Sequence, residues 1–251
     1  MIPLSTLVRY LDQQLRHSEI QDYPQAYNGL QLENQGKVTR IAAAVDSHSQ
    51  ILDAAVEAGA DFLIVHHGLW WNDPRPITGI SYQKIAQAIH SNLAVYGSHL
   101  PLDLHPRWGN NAVLCQRLSF KKKRPFLEMK GHEIGFLAET SIARSALQKR
   151  LESVLAGPVH LIPGGPTQIR RVGVVSGGAG NDLEKAKAAG IDTFITGEGS
   201  HWTYGAALEM GINLFYGGHY ATEVFGVQTV AQHLSEKFKI PWVWIDSPSG
   251  L

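Results

Sequence analysis

The residues best suited to chemistry in this chain are imidazoles and carboxylates at the expected ends of strands. Phe62-Leu63-Ile64-Val65-His66-His67-Gly68 reads as a short buried parallel strand that stops at two histidines. In open α/β sheets ligands collect beyond the carboxyl ends of the strands, so the pair stands where a site is expected. Adjacent side chains on a continuing strand would point to opposite faces. Either the chain turns at Gly68, or each imidazole serves a different ion. Another strand, Leu93-Ala94-Val95-Tyr96, runs into Gly97-Ser98-His99, with Asp103 close behind.

The second half repeats this design. Ala58-Gly59-Ala60-Asp61-Phe62-Leu63-Ile64-Val65-His66-His67 aligns with Ala189-Gly190-Ile191-Asp192-Thr193-Phe194-Ile195-Thr196-Gly197-Glu198, and Tyr96-Gly97-Ser98-His99 aligns with Tyr216-Gly217-Gly218-His219. A carboxylate follows four residues after each second histidine, Asp103 in one half and Glu223 in the other. Only two copies exist, so the repeat points to two related lobes with pseudo-twofold symmetry and not to a solenoid. A site between such lobes would draw on His66, His67, His99 and Asp103 from the first and on Glu198, His201, His219 and Glu223 from the second.

Neutral imidazole with carboxylate suits Zn, Mn, Fe, Co or Ni better than Ca or Mg. The set is too large for one catalytic zinc, which takes three protein ligands and a water. Two divalent cations use it economically. The competing explanation is a hydrogen-bonded polar seam, and spacing alone does not choose which members bind. Ser176-Gly177-Gly178-Ala179-Gly180-Asn181, between a strand and a helix, could bring backbone amides to a phosphate through Ser176, Gly177 and Gly178, or could be a simple tight turn. Trp70, Trp71, Trp108 and Trp202 lie near the candidate ligands and could stack on a planar heterocycle, although core or interface packing is the simpler explanation of each.

The elements that must position these groups alternate along the chain. Leu7, Val8, Leu11 and Leu15 share a helix face behind a cap at Ser5, and strand Ile41 to Val45 ends at Asp46. Helices are expected near Gln50 to Ala58, Tyr82 to His90, Ser141 to Leu155, Asp182 to Ala189, Tyr204 to Met210 and Val224 to Lys237, and a closing strand at Trp242 to Ile245. Lys121-Lys122-Lys123-Arg124 reads as a solvated loop, with a phosphate or nucleic-acid role as the less favoured alternative. The 251 residues divide into a first α/β lobe at 1–125 and a second at 126–251, intertwined and countable as one domain, with mixed, mostly parallel sheets. Lys and Arg balance Asp and Glu at 22 each, so nothing supports a polyanion partner, though none is excluded. The lone Cys115 allows no internal disulfide, no apolar run is long enough to span a membrane, and the start leads into an amphipathic helix; together these suggest a cytoplasmic protein.

Asn28-Gly29-Leu30-Gln31, Val65-His66-His67-Gly68, Ser98-His99-Leu100-Pro101-Leu102-Asp103, Ser176-Gly177-Gly178, Thr196-Gly197-Glu198-Gly199-Ser200-His201 and Gly218-His219-Tyr220-Ala221-Thr222-Glu223 together resemble the Nif-three-like dinuclear metal centre family, whose bacterial members are labelled GTP cyclohydrolase I type 2 homologues. The resemblance implies metal ligands at His66, His67, Asp103, His219 and Glu223, with Glu223 bridging two ions, and Glu198, His201 and His99 as neighbours that could move protons. It also implies two intertwined lobes in a ring-shaped homohexamer. Gly68 stands where many members carry proline, and the Ser98 to Pro101 loop differs in detail; neither departure removes a ligand. The implied activity is metal-dependent hydrolysis, with opening of a purine nucleotide ring at C8 as the candidate. A phosphoesterase or amidohydrolase, or a non-catalytic ring-forming metal-binding or regulatory protein, are the alternatives.

Overall fold

The computed structural model describes residues 1–70 and 76–251, so Trp71 and the Asn72-Asp73-Pro74 loop lie outside the described residues. Strand β1 (Ile2–Pro3) runs straight into helix α1 (Leu4–Leu15), whose Leu4, Leu7, Leu11 and Leu15 are buried at helical spacing. The helix does not begin behind Ser5. Pro3 holds the extended cap position and Leu4 N–H donates to Gly36 O at 2.9 Å, which fixes the start two residues earlier. Then follow β2 (Gly29–Leu32), β3 (Lys37–Val38), β4 (Ile41–Ala44), α2 (Ser49–Glu57), β5 (Phe62–Val65), α3 (Gly79–His90), β6 (Ala94–Gly97), the short α4 (Leu100–Asp103) and α5 (Asn110–Arg117). Residues of β4, β5 and β6 are buried throughout, as the continuous apolar runs required. Helix α5 has no counterpart in the expectations above, because its buried face includes Asn110 and Asn111 and breaks the apolar pattern.

Downstream come β7 (Lys123–Met129), β8 (His132–Ala143), α6 (Arg144–Leu155), β9 (His160–Pro163), β10 (Gln168–Val174), a 3₁₀ turn over Ala179–Asp182, α7 (Leu183–Ala188), β11 (Thr193–Thr196), α8 (Thr203–Glu209), β12 (Asn213–Tyr216), α9 (His219–Phe238) and β13 (Trp242–Trp244). The basic run is not wholly a loop. Lys123 and Arg124 open β7 and pair with Ala138 and Leu137, while all four basic side chains stay exposed, a common way to protect the edge of a sheet. Helix α9 starts five residues before Val224. Gly218, at φ +92°, turns the chain after β12, and its carbonyl accepts Thr222 N–H at 3.1 Å, the first i to i+4 bond.

Two compact units result, and the fold is mixed α/β. Unit 1 comprises Met1–Leu102 and Gly226–Ser247; unit 2 comprises Asp103–Phe225 and Pro248–Leu251. The sequence expectation placed a single division after residue 125. The C-terminal segment joins unit 1 because β13 pairs in parallel with β4. Unit 1 holds a sheet in the order β13-β4-β5-β6-β2, parallel except for antiparallel β2, and the small pair β1-β3. Unit 2 holds β7-β8-β10-β11-β12-β9, with β10, β11 and β12 parallel and the other pairings antiparallel. The duplication is thus topological as well as sequential: β4-β5-β6-β2 and β10-β11-β12-β9 share order and direction. Each unit has its own core, around Leu63, Val65 and Leu52 in the first and Val172, Ile195, Phe215 and Leu151 in the second.

Candidate metal centre

In unit 1 the strand β5 ends at Val65, and the next two amides both donate to one carbonyl: His66 N–H to Val45 O at 3.0 Å and His67 N–H to the same atom at 2.8 Å. The chain therefore turns at the pair itself, and the adjacent imidazoles converge, with ring centroids 4.8 Å apart. Gly68 has another purpose. A Cβ there would collide with the Gln31 side chain, whose Oε1 accepts Leu69 N–H at 2.6 Å. His99, after β6, joins the group at 4.9 Å from His66 and 5.8 Å from His67, centroid to centroid. The three offer nitrogen atoms within 4.8 Å of one another, close enough to hold a metal ion.

Each ring has an orienting acceptor. His66 Nδ1 lies 3.0 Å from Ser98 O, His67 Nδ1 2.8 Å from Asp46 Oδ1, and His99 Nδ1 2.9 Å from Asp22 Oδ1. A carbonyl or carboxylate can only accept, so the Nδ1 atoms carry the protons and the Nε2 atoms carry the lone pairs. This is the outer shell that metal-binding histidines use. Burial alone would raise the Asp22 carboxyl, but hydrogen bonds from His99, Asn28 Nδ2 and Tyr23 N–H hold it below the usual range. Asp22 and Asp46 were not among the candidates read from sequence. Asp46 follows the end of β4 and could have been picked out by position; Asp22 sits in an irregular segment with no pattern to mark it.

Unit 2 builds its own cluster from different residue types. Gly197 and Glu198 N–H both donate to Gly177 O, at 2.9 and 3.0 Å, repeating the shared-carbonyl turn of His66 and His67. Glu198 Oε1 then accepts from His219 Nδ1 at 2.8 Å, and the other ring nitrogen lies 3.2 Å from Glu223 Oε2, one helical turn along α9. The hydrogen bond to Glu223, with its charge and that of Glu198, pushes the His219 imidazole up to about 9 against the lowering effect of burial. His219 Nε2 and the Glu223 carboxylate, 3.2 Å apart, are a nitrogen and an oxygen that could together hold a cation. Asp103 is buried and accepts from Asn110 Nδ2 at 2.8 Å.

The glycine turn packs against this cluster. Ser176 N–H donates to Asn111 Oδ1 at 2.6 Å and Gly177 N–H to Thr222 Oγ1 at 3.0 Å, so two of the three amides considered for phosphate are engaged within unit 2. A Cβ on Gly177 would collide with Glu223 Oε1, and one on Gly178 would stand 3.8 Å from Glu198 Oε1, a carboxylate setting unfavourable to an anion. His201 is exposed in the turn before α8 and joins none of the hydrogen bonds described around His219. Trp108 is buried and stacks on His105 at 4.2 Å, as packing explains, while Trp202 is 46% exposed. A donor set of correctly protonated imidazoles and buried carboxylates fits divalent transition metals.

A family model described as "Duf34/NIF3 (NGG1p interacting factor 3)" matches residues 2–248. A Deinococcus radiodurans protein named "GTP cyclohydrolase 1 type 2 homolog" is 43% identical over 249 residues, covering 98% of this chain and 93% of the relative. An Archaeoglobus fulgidus protein of the same name is 40% identical over 248 residues, covering 99% of both. Among solved structures, that of TTHA1606 from Thermus thermophilus superposes with a TM-score of 0.91 at 37% identity, covering all of both chains.

Proposed function

The chain belongs to the Duf34/NIF3 family, and from that premise we propose that it is a dinuclear metal-dependent hydrolase whose candidate reaction is ring opening of a purine nucleotide such as GTP. Two divalent cations, from among Zn, Fe, Mn, Co and Ni, are held by His66, His67, Asp103, His219 and Glu223. The observation that carries this reading is the orientation of the imidazoles: Ser98 O and Asp46 fix the protons of His66 and His67 on Nδ1 and present Nε2 as ligand. Bound there, the cations would polarise the bond under attack and bring the pKa of water towards neutrality.

The protein's own groups do the rest. Glu198 holds His219 through Nδ1 and is about half exposed, so its carboxylate can also accept a proton from solvent or substrate. His99 is the other proton carrier in this reading; His201 belongs to it only if substrate binding draws its turn inward. The nucleotide part rests on the names of the relatives, "GTP cyclohydrolase 1 type 2 homolog". A ring-shaped homohexamer acting in the cytoplasm completes the proposal. Among the described residues, no helix is long and apolar enough to cross a membrane.

Metal analysis of protein purified without added metal is the first test, with two equivalents per chain expected. Incubation of the loaded protein with GTP should then give a formylated or ring-opened product. Loading without any product, across GTP and a panel of phosphoesters and cyclic amides, would leave only the non-catalytic metal-binding reading. Light scattering in solution reads the assembly.

A further inference from the structure

We propose that Lys84 receives a phosphate group of the substrate beside the turn that follows β4. The inference rests on the nucleotide reading above and deepens it, since that reading names no group of the protein that meets the phosphates.

Place is the first argument. Lys84 lies on α3, and its ammonium donates to Ser47 O at 3.2 Å. Ser47 directly follows Asp46, the residue that orients His67. The cation therefore stands at the carboxyl ends of the unit 1 strands, where ligands of α/β proteins collect. Lys84, Ser47, Asp46 and His67 all belong to unit 1.

The state of the ammonium is the second. Ser47 O takes one of its three N–H donors, and no carboxylate among the described residues pairs with it. Asp46, next in the chain to Ser47, gives its Oδ1 to His67 Nδ1 at 2.8 Å instead. Burial acts on Lys84 unopposed and pushes its pKa below the ordinary lysine value. A half-buried cation without a counter-ion is a cost to the fold, and an arriving phosphate offsets it with charge-assisted hydrogen bonds.

The duplication supplies the third. Helices α3 and α8 occupy matching places, between β5 and β6 in one unit and between β11 and β12 in the other. Helix α8 carries no basic residue, so the crossover itself requires no cation. The turn after β10 is the counterpart of the one at Asp46 and Ser47, because Gly177 O and Val45 O accept equivalent pairs of amides. In unit 2 that turn faces Glu198 and Glu223, which repel an anion; in unit 1 it faces Lys84. Of the two turns, the one in unit 1 is suited to phosphate.

The test compares full-length wild type with Lys84→Gln, which keeps a hydrogen-bond donor and loses the charge. Calorimetric titrations of the metal-loaded proteins with GTP, guanosine and inorganic tripolyphosphate, at one fixed ionic strength, read the site. Wild type is expected to bind GTP more tightly than guanosine. Lys84→Gln should weaken GTP and tripolyphosphate roughly tenfold and leave guanosine affinity unchanged. Metal content and the thermal melt should stay at wild-type values. In unmodified protein, acetylation of Lys84 followed by mass spectrometry should be slowed by tripolyphosphate and not by guanosine. Equal loss of GTP and guanosine, or no loss of either, overturns the inference and leaves the nucleotide reading standing. Tripolyphosphate binding that depends on Lys84, in a protein that binds no GTP, would keep the site and sink the nucleotide reading. Binding of none of the three overturns both.

Discussion

Asp46 Oδ1, 2.8 Å from His67 Nδ1, decides which nitrogen of that ring can meet a metal. Asp46→Ala should weaken metal binding by about 10- to 100-fold, the usual effect of losing an outer-shell partner. Because Asp46 is only partly buried, the melting temperature of the metal-free protein should hardly change; calorimetric titration beside a thermal melt separates the two effects. His219 gives a pH signature. Its imidazole sits at about 9 in the fold against an ordinary 6.5, so the charged ring stabilises the metal-free protein fully below pH 6.5 and progressively less as pH rises through 9. Metal-free protein should lose stability over that window and His219→Gln should lose less. A bound cation requires the neutral ring, so loading near pH 7.5 should release a proton and metal affinity should climb towards pH 9, measurable in buffers of different ionisation enthalpy. At this scale the clustered histidines were legible because imidazoles at strand ends are unusual. Asp22 and Asp46 were not, since an aspartate that orients a ring has the same local signature as one that faces water.

The turns after β5 and β11 do more to form the site than the strands do. Both bring two successive amides onto one carbonyl, Val45 O in one unit and Gly177 O in the other, and this common device makes adjacent residues converge instead of alternating. A period-two reading of His66 and His67 missed it, because strand periodicity stops applying one residue before the pair. Helix α9 was misplaced for a related reason. Gly217-Gly218-His219 looks like a loop, yet Gly218 is the turn that lets the helix start at His219, with Glu223 four residues further along it. Gly177→Ala tests how tightly these turns are fitted. Its φ of +67° penalises any side chain, and the added Cβ would strike Glu223 Oε1. Gly36→Ala, at φ +88° with nothing within 4 Å, carries the backbone penalty alone. The control should lose about 1 kcal/mol. Gly177→Ala should lose clearly more in a thermal melt, and the metal bound through Glu223 with it.

Two cores in one chain imply that damage can be local. Ile245 closes the C-terminal strand segment: its N–H donates to Ala43 O at 2.9 Å, and its side chain belongs to the cluster of Leu52, Leu63 and Val65. Proline there removes the donor, leaves a buried carbonyl without that bond and shortens the packed side chain, a loss of roughly 2–4 kcal/mol. The cost should fall on unit 1. Hydrogen exchange in Ile245→Pro should speed up at β4 and β5 amides while β10 and β11, which pair with each other and with β8 and β12, keep their protection. Uniform acceleration in both sheets would show instead that the molecule unfolds as one cooperative body. The paired lobes themselves were visible in the sequence, since Ala58 to His67 and Ala189 to Glu198 repeat residue types as well as spacing. Which lobe owns the last strand was not, because Trp242-Val243-Trp244 can extend either sheet by composition, and only its parallel pairing with Ile41-Ala42-Ala43 assigns it. The same exchange measurement, repeated with metal bound, should show protection rising at the end of β5 if His66 and His67 hold metal.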